Sequence, residues 1–136
     1  MADLVITATG VLPGDNAVME QMIALEPLVA GKVVYRDPVT MRAGLADNNA
    51  VQAERRVVRG IALNGAAIGQ PVTVLREGLL TMGATMATGV TYYLSDTPGG
   101  VCPVADLTTG EFSVILGMAI SATVMRVKVQ ASGVAI

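Results

Sequence analysis

Four acidic residues beside predicted turns are the first candidates for chemistry: Glu77, Asp96, Asp106 and Glu111. Two carboxylates brought close together are the arrangement that glycoside hydrolases use, one as a general acid and the other as a base or nucleophile. These four residues are spread singly along the chain, and no spacing pairs them. We therefore interpret them as solvated turn residues.

The chain has no histidine and a single cysteine, Cys102. This composition removes the commonest general base and the Ser-His and Cys-His nucleophile arrangements. It also removes zinc sites built from thiolates and imidazoles, and the acidic residues lack the spacing of a calcium-binding loop. We expect a protein that is not an enzyme, with no catalytic residues, metal or cofactor. We expect Cys102 to be a small buried hydrophobic residue near a turn.

Phosphate and nucleic-acid binding are also disfavoured. The glycines at 60, 65 and 69 fit neither the dinucleotide-binding fingerprint nor a phosphate-binding loop. The net charge is −2, the nine basic residues are scattered, and the chain has one Phe and no Trp with which to stack bases. The only local basic cluster is Arg55, Arg56 and Arg59, which is either an anchor for the acidic surface of a partner or a solvated helix end.

The elements that must position these residues are short strands. Fifteen glycines and six prolines cut the chain into short apolar segments, a rhythm typical of strands and turns. In Val124–Gln130 apolar and polar residues alternate, which predicts a half-buried strand. The denser run Ser113–Ile120 predicts a strand covered on both faces. The other predicted strands are Lys32–Arg36, Val39–Ala43, Val57–Leu63, Pro71–Leu75, Val90–Ser95 and Val101–Val104.

One short helix is predicted over Asn48–Arg56, with Asn or Asp as its N-cap and arginines in its last turn. Asp15–Leu25 fits either a helix or an extended arm. We predict an all-β fold, a β-sandwich or barrel of about eight short strands plus this helix, with a jelly roll among the topologies left open. Residues 1–25 form an N-terminal arm or edge segment, and residues 26–136 a single β domain. The longest apolar run, Val114–Ile120, is too short to span a membrane, so no membrane partner is expected.

Six segments carry strand-and-turn patterns of one known family: Ala30–Asp37, Leu45–Asp47, Gly60–Leu63, Gly69–Val74, Gly89–Ser95 and Gly99–Gly100. Together they resemble the capsid decoration, or cement, proteins of tailed bacteriophages. The resemblance implies a structural virion protein, made in the host cytoplasm, that binds the outer surface of an icosahedral head. Its partners would be the major capsid protein and further copies of itself, as a homodimer or homotrimer. Phage tail fibres use similar patterns, so a fibre module that binds a host surface is the alternative.

The two chain termini are apolar and have no obvious place in a hairpin, so we expect them to reach neighbouring subunits of such a shell. The arginine cluster is the other candidate anchor. The candidate capsid contacts are therefore Leu4, Val5, Ile6, Arg55, Arg56, Arg59, Val134 and Ile136.

Overall fold

The computed structural model describes residues 3–136, which form a curled antiparallel sheet shaped as a half-barrel. The all-β prediction is confirmed. Helical structure in the described range is limited to the short 3-10 helices η1 (Ala8–Gly10), η2 (Ala53–Arg56) and η3 (Val104–Asp106). The ten strands are β1 (Val11–Pro13), β2 (Val18–Ile23), β3 (Val33–Arg36), β4 (Ala43–Leu45), β5 (Gly60–Ala62), β6 (Pro71–Met82), β7 (Thr91–Leu94), β8 (Val101–Pro103), β9 (Phe112–Ala119) and β10 (Val124–Ala135).

β6 is the central strand of the sheet and is paired along both of its edges. Glu77 pairs with Val18 of β2 on one edge and with Lys128 of β10 on the other. β1 continues along the edge that β2 occupies, and β5 shares the opposite edge with β10. The strands then follow in the order β4-β3-β5-β6-β10-β9-β7-β8. Two branches of the sheet therefore leave β6 from the same edge.

Two apolar clusters pack on opposite faces of β3, because successive side chains of a strand point to opposite sides. Val33 and Tyr35 belong to the main cluster, whereas Val34 belongs to a smaller second cluster. The main cluster takes side chains from β1, β3 and β5 to β10, and includes the fully buried Leu80. The second includes Leu28 from the segment between β2 and β3. This segment covers a part of the sheet that would otherwise be exposed.

The outer face of β9 and β10 is open. In β10, Met125 and Val127 are buried while Arg126 and Lys128 are exposed, so the predicted alternation is confirmed. The prediction that Ser113–Ile120 is covered on both faces is wrong, because Met118 of β9 remains 48% exposed. The sheet is a single layer here, and within residues 3–136 nothing packs over this side chain. The turn between the two strands is held by Ser121, whose Oγ accepts a 3.0 Å hydrogen bond from the N–H of Val124.

The predicted strand Val39–Ala43 is instead mostly a turn. The Asp37 carboxylate accepts hydrogen bonds from the N–H groups of Val39 (2.8 Å) and Thr40 (3.2 Å), which curls the chain immediately after β3. Met41 then adopts a left-handed conformation with φ of 60°. β4 consequently begins only at Ala43. The turn between β3 and β4 is therefore longer than the two residues, Asp37 and Pro38, that separate the predicted strands.

The predicted helix over Asn48–Arg56 is also wrong in its extent and its cap. Only η2 is helical, as a 3-10 turn, and its N-cap Gln52 makes no side-chain capping bond. The Asn48 side chain is fully buried and donates to the carbonyl of Leu94 at 2.9 Å. An amide used in this tertiary contact is not available to cap a helix.

Most of the N-terminal segment is extended. Of the two structures left open for Asp15–Leu25, a helix or an extended arm, the extended conformation is observed, but β2 pairs with β6 over its whole length and is not a free arm. β1 pairs with the other end of β6. Residues 1 and 2 of the predicted arm lie outside the described residues. The segment is therefore an edge of the sheet along β6, from Val11 to Ile23.

Replacing Gly78 by Ala should strongly destabilise the fold. Gly78 lies in β6 opposite the break between β1 and β2, with φ of 115°, and an added Cβ would lie 2.5 Å from the carbonyl oxygen of Asn16. We expect backbone strain and crowding together to lower the free energy of unfolding by about 2–4 kcal/mol. Urea unfolding followed by circular dichroism measures it.

Gly69→Ala is the matched control for this change. Gly69 also has a positive φ, 83°, but an added Cβ would meet nothing within 4 Å. Backbone strain alone should lower the free energy of unfolding of this variant by about 1 kcal/mol. Equal losses in the two variants would show that the close approach of the chain at Asn16 contributes nothing to stability.

Candidate interaction surface

The second half of β10 extends beyond the strand that supports its first half. The register with β6 ends at Lys128, whereas β10 continues to Ala135 and is paired there only with β9. Every residue from Gln130 to Ile136 is exposed. Val134 is 65% exposed and Ile136 is 51% exposed. This C-terminal arm, residues 130–136, thus presents apolar side chains on a strand with one unpaired edge.

A β-bulge shapes the arm. Ala131 pairs with Val114 and Ala135 with Phe112, so four steps along β10 match two along β9. Gly133 adopts a positive φ of 73° at this bulge. The Ser132 hydroxyl accepts from the Val134 N–H at 3.2 Å and donates to the Val134 carbonyl at 3.1 Å. These bonds hold Val134 outward.

An open groove of about 210 Å³ lies between η2 and the base of the arm. One wall carries Arg56, whose guanidinium stacks 3.8 Å from the centroid of the Phe112 ring. Arg56 also donates to the carbonyl of Ala50 at 3.4 Å, which ties the preceding loop to the same wall. The remaining wall is apolar, and Val57 is 63% exposed at its rim. We call this the Arg56 groove; its lining residues are Ala53, Arg56, Val57, Phe112, Val114, Ala131 and Gly133.

The three arginines that the sequence groups together have three different partners. Arg55 lies over the Tyr35 ring, 5.7 Å from its centroid, and its Nε is buried without a hydrogen-bond partner among residues 3–136. Arg56 stacks on Phe112 in the Arg56 groove. Arg59 forms an ion pair with Glu20 of β2 at 2.6 Å. Only Arg56 therefore lies beside the C-terminal arm.

The N-terminal candidates are divided between core and solvent. Leu4 and Ile6 are half-buried and pack against the main cluster, and the Leu4 N–H donates to the carbonyl of Val101 at 2.8 Å. Val5 between them is exposed. Leu4 and Ile6 thus pack within the fold. Their apolar character alone could not show whether they would pack there or contact a partner.

Two of the turn carboxylates, Asp96 and Glu111, come together with Asp3 beneath the β7–β8 hairpin. Asp3 accepts from the Ser95 hydroxyl at 2.8 Å. Glu111 is only 4% exposed; burial opposes its ionisation, but hydrogen bonds from Thr108 and Asn48 outweigh this and hold its pKa below the usual range. Burial, followed by the negative charge of Glu111, raises the pKa of Asp96. Glu77 lies elsewhere, in β6 opposite Lys128.

This carboxyl group cluster is built from internal hydrogen bonds. Both oxygens of Glu111 are engaged by Thr108, at 3.1 Å from its N–H and 2.8 Å from its hydroxyl, and Asn48 adds a third bond at 3.3 Å. These contacts connect the residues just before β9 to the loop before η2. Within residues 3–136, no group of three or more acidic or cysteine side chains has an arrangement that would hold a metal ion.

Comparison with known proteins adds no relative. Neither a scan against protein families nor a search of curated proteins finds a match to the sequence. Among the described residues, no helix has the length and apolar character needed to cross a membrane. The C-terminal arm with the Arg56 groove is the surface on which the functional argument below depends. Arg56, Val134 and Ile136 are among the candidate contacts predicted from the sequence. Phe112 and Val57 are not, because the approach of Phe112 to η2 joins distant segments of the chain.

The Cys102 thiol should be unreactive in the folded protein. It is 1% exposed, and burial, with nearby carboxylates, raises its pKa to about 12 from 9.0. The thiolate is the reactive form, so at pH 8 this shift alone should slow labelling by a disulfide reagent about a thousandfold relative to the unfolded chain. Labelling with and without denaturant measures this ratio, and rates within tenfold of each other would contradict the prediction.

Asp96→Asn should stabilise the protein at neutral pH and have no such effect in acid. A carboxyl whose folded pKa is raised costs stability as it ionises, a cost absent below the unfolded pKa and complete above the folded pKa. Because Asp96 is exposed, we expect a gain of about 0.5 kcal/mol at pH 7 that vanishes near pH 3. Urea unfolding at the two pH values checks this, and a loss of stability at pH 7 would show that the carboxylate is needed.

Proposed function

We propose that this protein is a structural component of a phage virion that binds the outer surface of the icosahedral head and cements neighbouring major capsid protein subunits. The observation that carries the proposal is the C-terminal arm beside the Arg56 groove. Val134 and Ile136 are exposed on an extended, uncharged strand with one free edge, next to an apolar groove. The similarity of several segments to decoration proteins, noted from the sequence, supports the same role.

The arrangement suits a bridging contact. The free edge of the arm offers backbone hydrogen bonds to a neighbouring strand, and its apolar side chains offer area to bury. The Arg56 guanidinium, already oriented on Phe112, adds a cation at the rim that can meet a carboxylate of the shell. Each contact of this kind is modest in energy, but many copies held on one shell act together.

Stabilisation of the shell follows from linkage. A protein that binds only the expanded, assembled shell lowers the free energy of that state relative to the dissociated subunits. The half-barrel gives the arm a rigid base, because β9 and β10 pair with each other and are packed on the main cluster. Contacts between copies of the protein, as a homodimer or homotrimer, would tie neighbouring sites together.

Purified protein should co-sediment saturably with expanded, undecorated heads of the phage that encodes it, and raise their disruption temperature. The double variant Val134→Asp/Ile136→Asp should weaken binding by at least about tenfold, since it places two charges in a contact that excludes water. Val39→Asp is the matched control, because Val39 is 87% exposed in the turn between β3 and β4, away from the arm.

Each outcome decides a separate point. Absence of binding by the unaltered protein would overturn the cement role, and binding to host cells instead would favour the fibre alternative. Saturable binding that the double variant retains would keep the role and show that the arm is the wrong surface. If Val39→Asp weakened binding to the heads as much as the double variant does, the result would not identify any particular surface as the binding site.

A further inference from the structure

A second surface, which meets the Arg56 groove at Val57 but does not include the C-terminal arm, concentrates positive charge around one carboxylate. Glu20 of β2 accepts two hydrogen bonds from Arg59, at 2.9 Å from Nε and 2.6 Å from Nη2. This bidentate bond, together with the nearby Arg76 and Arg36, holds the pKa of Glu20 below its usual range. Three guanidinium groups thus act on one acid. We call Arg36, Arg59 and Arg76 with Glu20 the arginine patch.

The charges of the arginine patch are not balanced internally. Arg36 and Arg76 are exposed, and neither makes a side-chain hydrogen bond or an ion pair with any residue from 3 to 136. The whole chain carries a net charge of −2, so the excess of cations here is a local feature. Unpaired guanidinium groups held beside each other favour a ligand that brings carboxylates or other anions.

Two open grooves meet at Arg36. One, of about 510 Å³, lies between β2 and the turn that follows β3 and includes Ile23 and Met41. The other, of about 430 Å³, is lined by three cations (Arg36, Arg59 and Arg76), one carboxylate (Glu54) and apolar side chains that include Val57. Cations and exposed apolar side chains therefore line both grooves. The cations outnumber the acids there, with Arg36, Arg42, Arg59 and Arg76 against Glu20 and Glu54. A partner that fits these grooves carries both acidic and apolar side chains.

The edge of β2 adds a backbone element to the same surface. β2 pairs with β6 along one edge. On the other edge, among residues 3–136, the one backbone bridge joins Ala24, which follows β2, to Ala43. Backbone groups before Ala24 on that edge are free to pair with an added strand. The free edge borders the groove that contains Glu20, Ile23 and Met41.

We propose that the arginine patch and the free edge of β2 bind an extended acidic segment of a partner protein. The segment adds a strand to β2, and its carboxylates meet Arg36 and Arg76 while apolar side chains contact Met41 and Val57. Nucleic acid fits less well, because neither groove is lined by an aromatic ring on which bases stack. In the free protein the Glu20 carboxylate accepts the hydrogen bonds of Arg59 that a ligand carboxylate would accept. This inference does not depend on the proposed virion role.

A labelled peptide of alternating Glu and Val, eight residues long and blocked at both ends, is the probe. Fluorescence anisotropy at about 50 mM salt should show saturable binding that weakens as salt is raised. Arg36→Glu/Arg76→Glu should weaken binding by about tenfold or more, because two attractions become repulsions. Arg126→Glu, an exposed arginine on β10, is the matched control and should change binding less than twofold.

The variant Glu20→Gln tests whether peptide binding depends on Arg59 itself and not only on the overall charge of the surface. It frees Arg59 from its internal carboxylate, so affinity for the peptide should rise about threefold or more. Failure of the unaltered protein to bind, equal loss with Arg126→Glu, or equal binding of a Lys-Val peptide would each overturn the proposal. Tighter binding of an oligothymidine than of the peptide would assign the patch to nucleic acid instead. Unfolding curves confirm that each variant is folded.

Discussion

The double pairing of β6 is the constraint on which the rest of the structure depends. Its twelve residues accept β1 and β2 along one edge and share the other edge between β5 and β10. The Gly78 backbone, at φ of 115°, lies at the point where β1 gives way to β2. A side chain there would collide with Asn16 and Ala17, so the crossing of these segments needs glycine. From this strand one branch leads to β4 and the other to β8.

Both candidate surfaces follow from that arrangement. Because β5 occupies the start of the shared edge, β10 loses its partner after Lys128, and the C-terminal arm continues with β9 alone. On the opposite edge, β2 has β6 on one side and is otherwise open until Ala24 meets Ala43. The unpaired edges are thus consequences of a sheet that curls without closing. The arginines beside the two surfaces differ in their contacts. Arg56 is stacked on the Phe112 ring, whereas Arg36 and Arg76 are exposed.

The sequence predicted those parts of the fold that depend on local pattern. Alternation in Val124–Gln130 identified β10, and the predicted strands Val90–Ser95 and Val101–Val104 contain β7 and β8, which pair as a hairpin. β2 was left ambiguous because only Met22 of its six residues is buried, so its pattern shows no apolar face. The contacts that build the two surfaces join residues far apart in the chain, such as Glu20 with Arg59 and Arg56 with Phe112. Pattern within a short window carries no information on such pairs.

The bulge in the C-terminal arm has a consequence for solubility. An uncharged extended segment with a free edge is the kind of strand that templates edge-to-edge aggregation. Here Gly133 at positive φ and the bonds between Ser132 and Val134 interrupt the regular ladder, with four steps on β10 against two on β9. A regular strand stacked against this edge would lose its register within a few residues. The bulge therefore disfavours regular edge-to-edge stacking of strands on the exposed apolar residues of the arm.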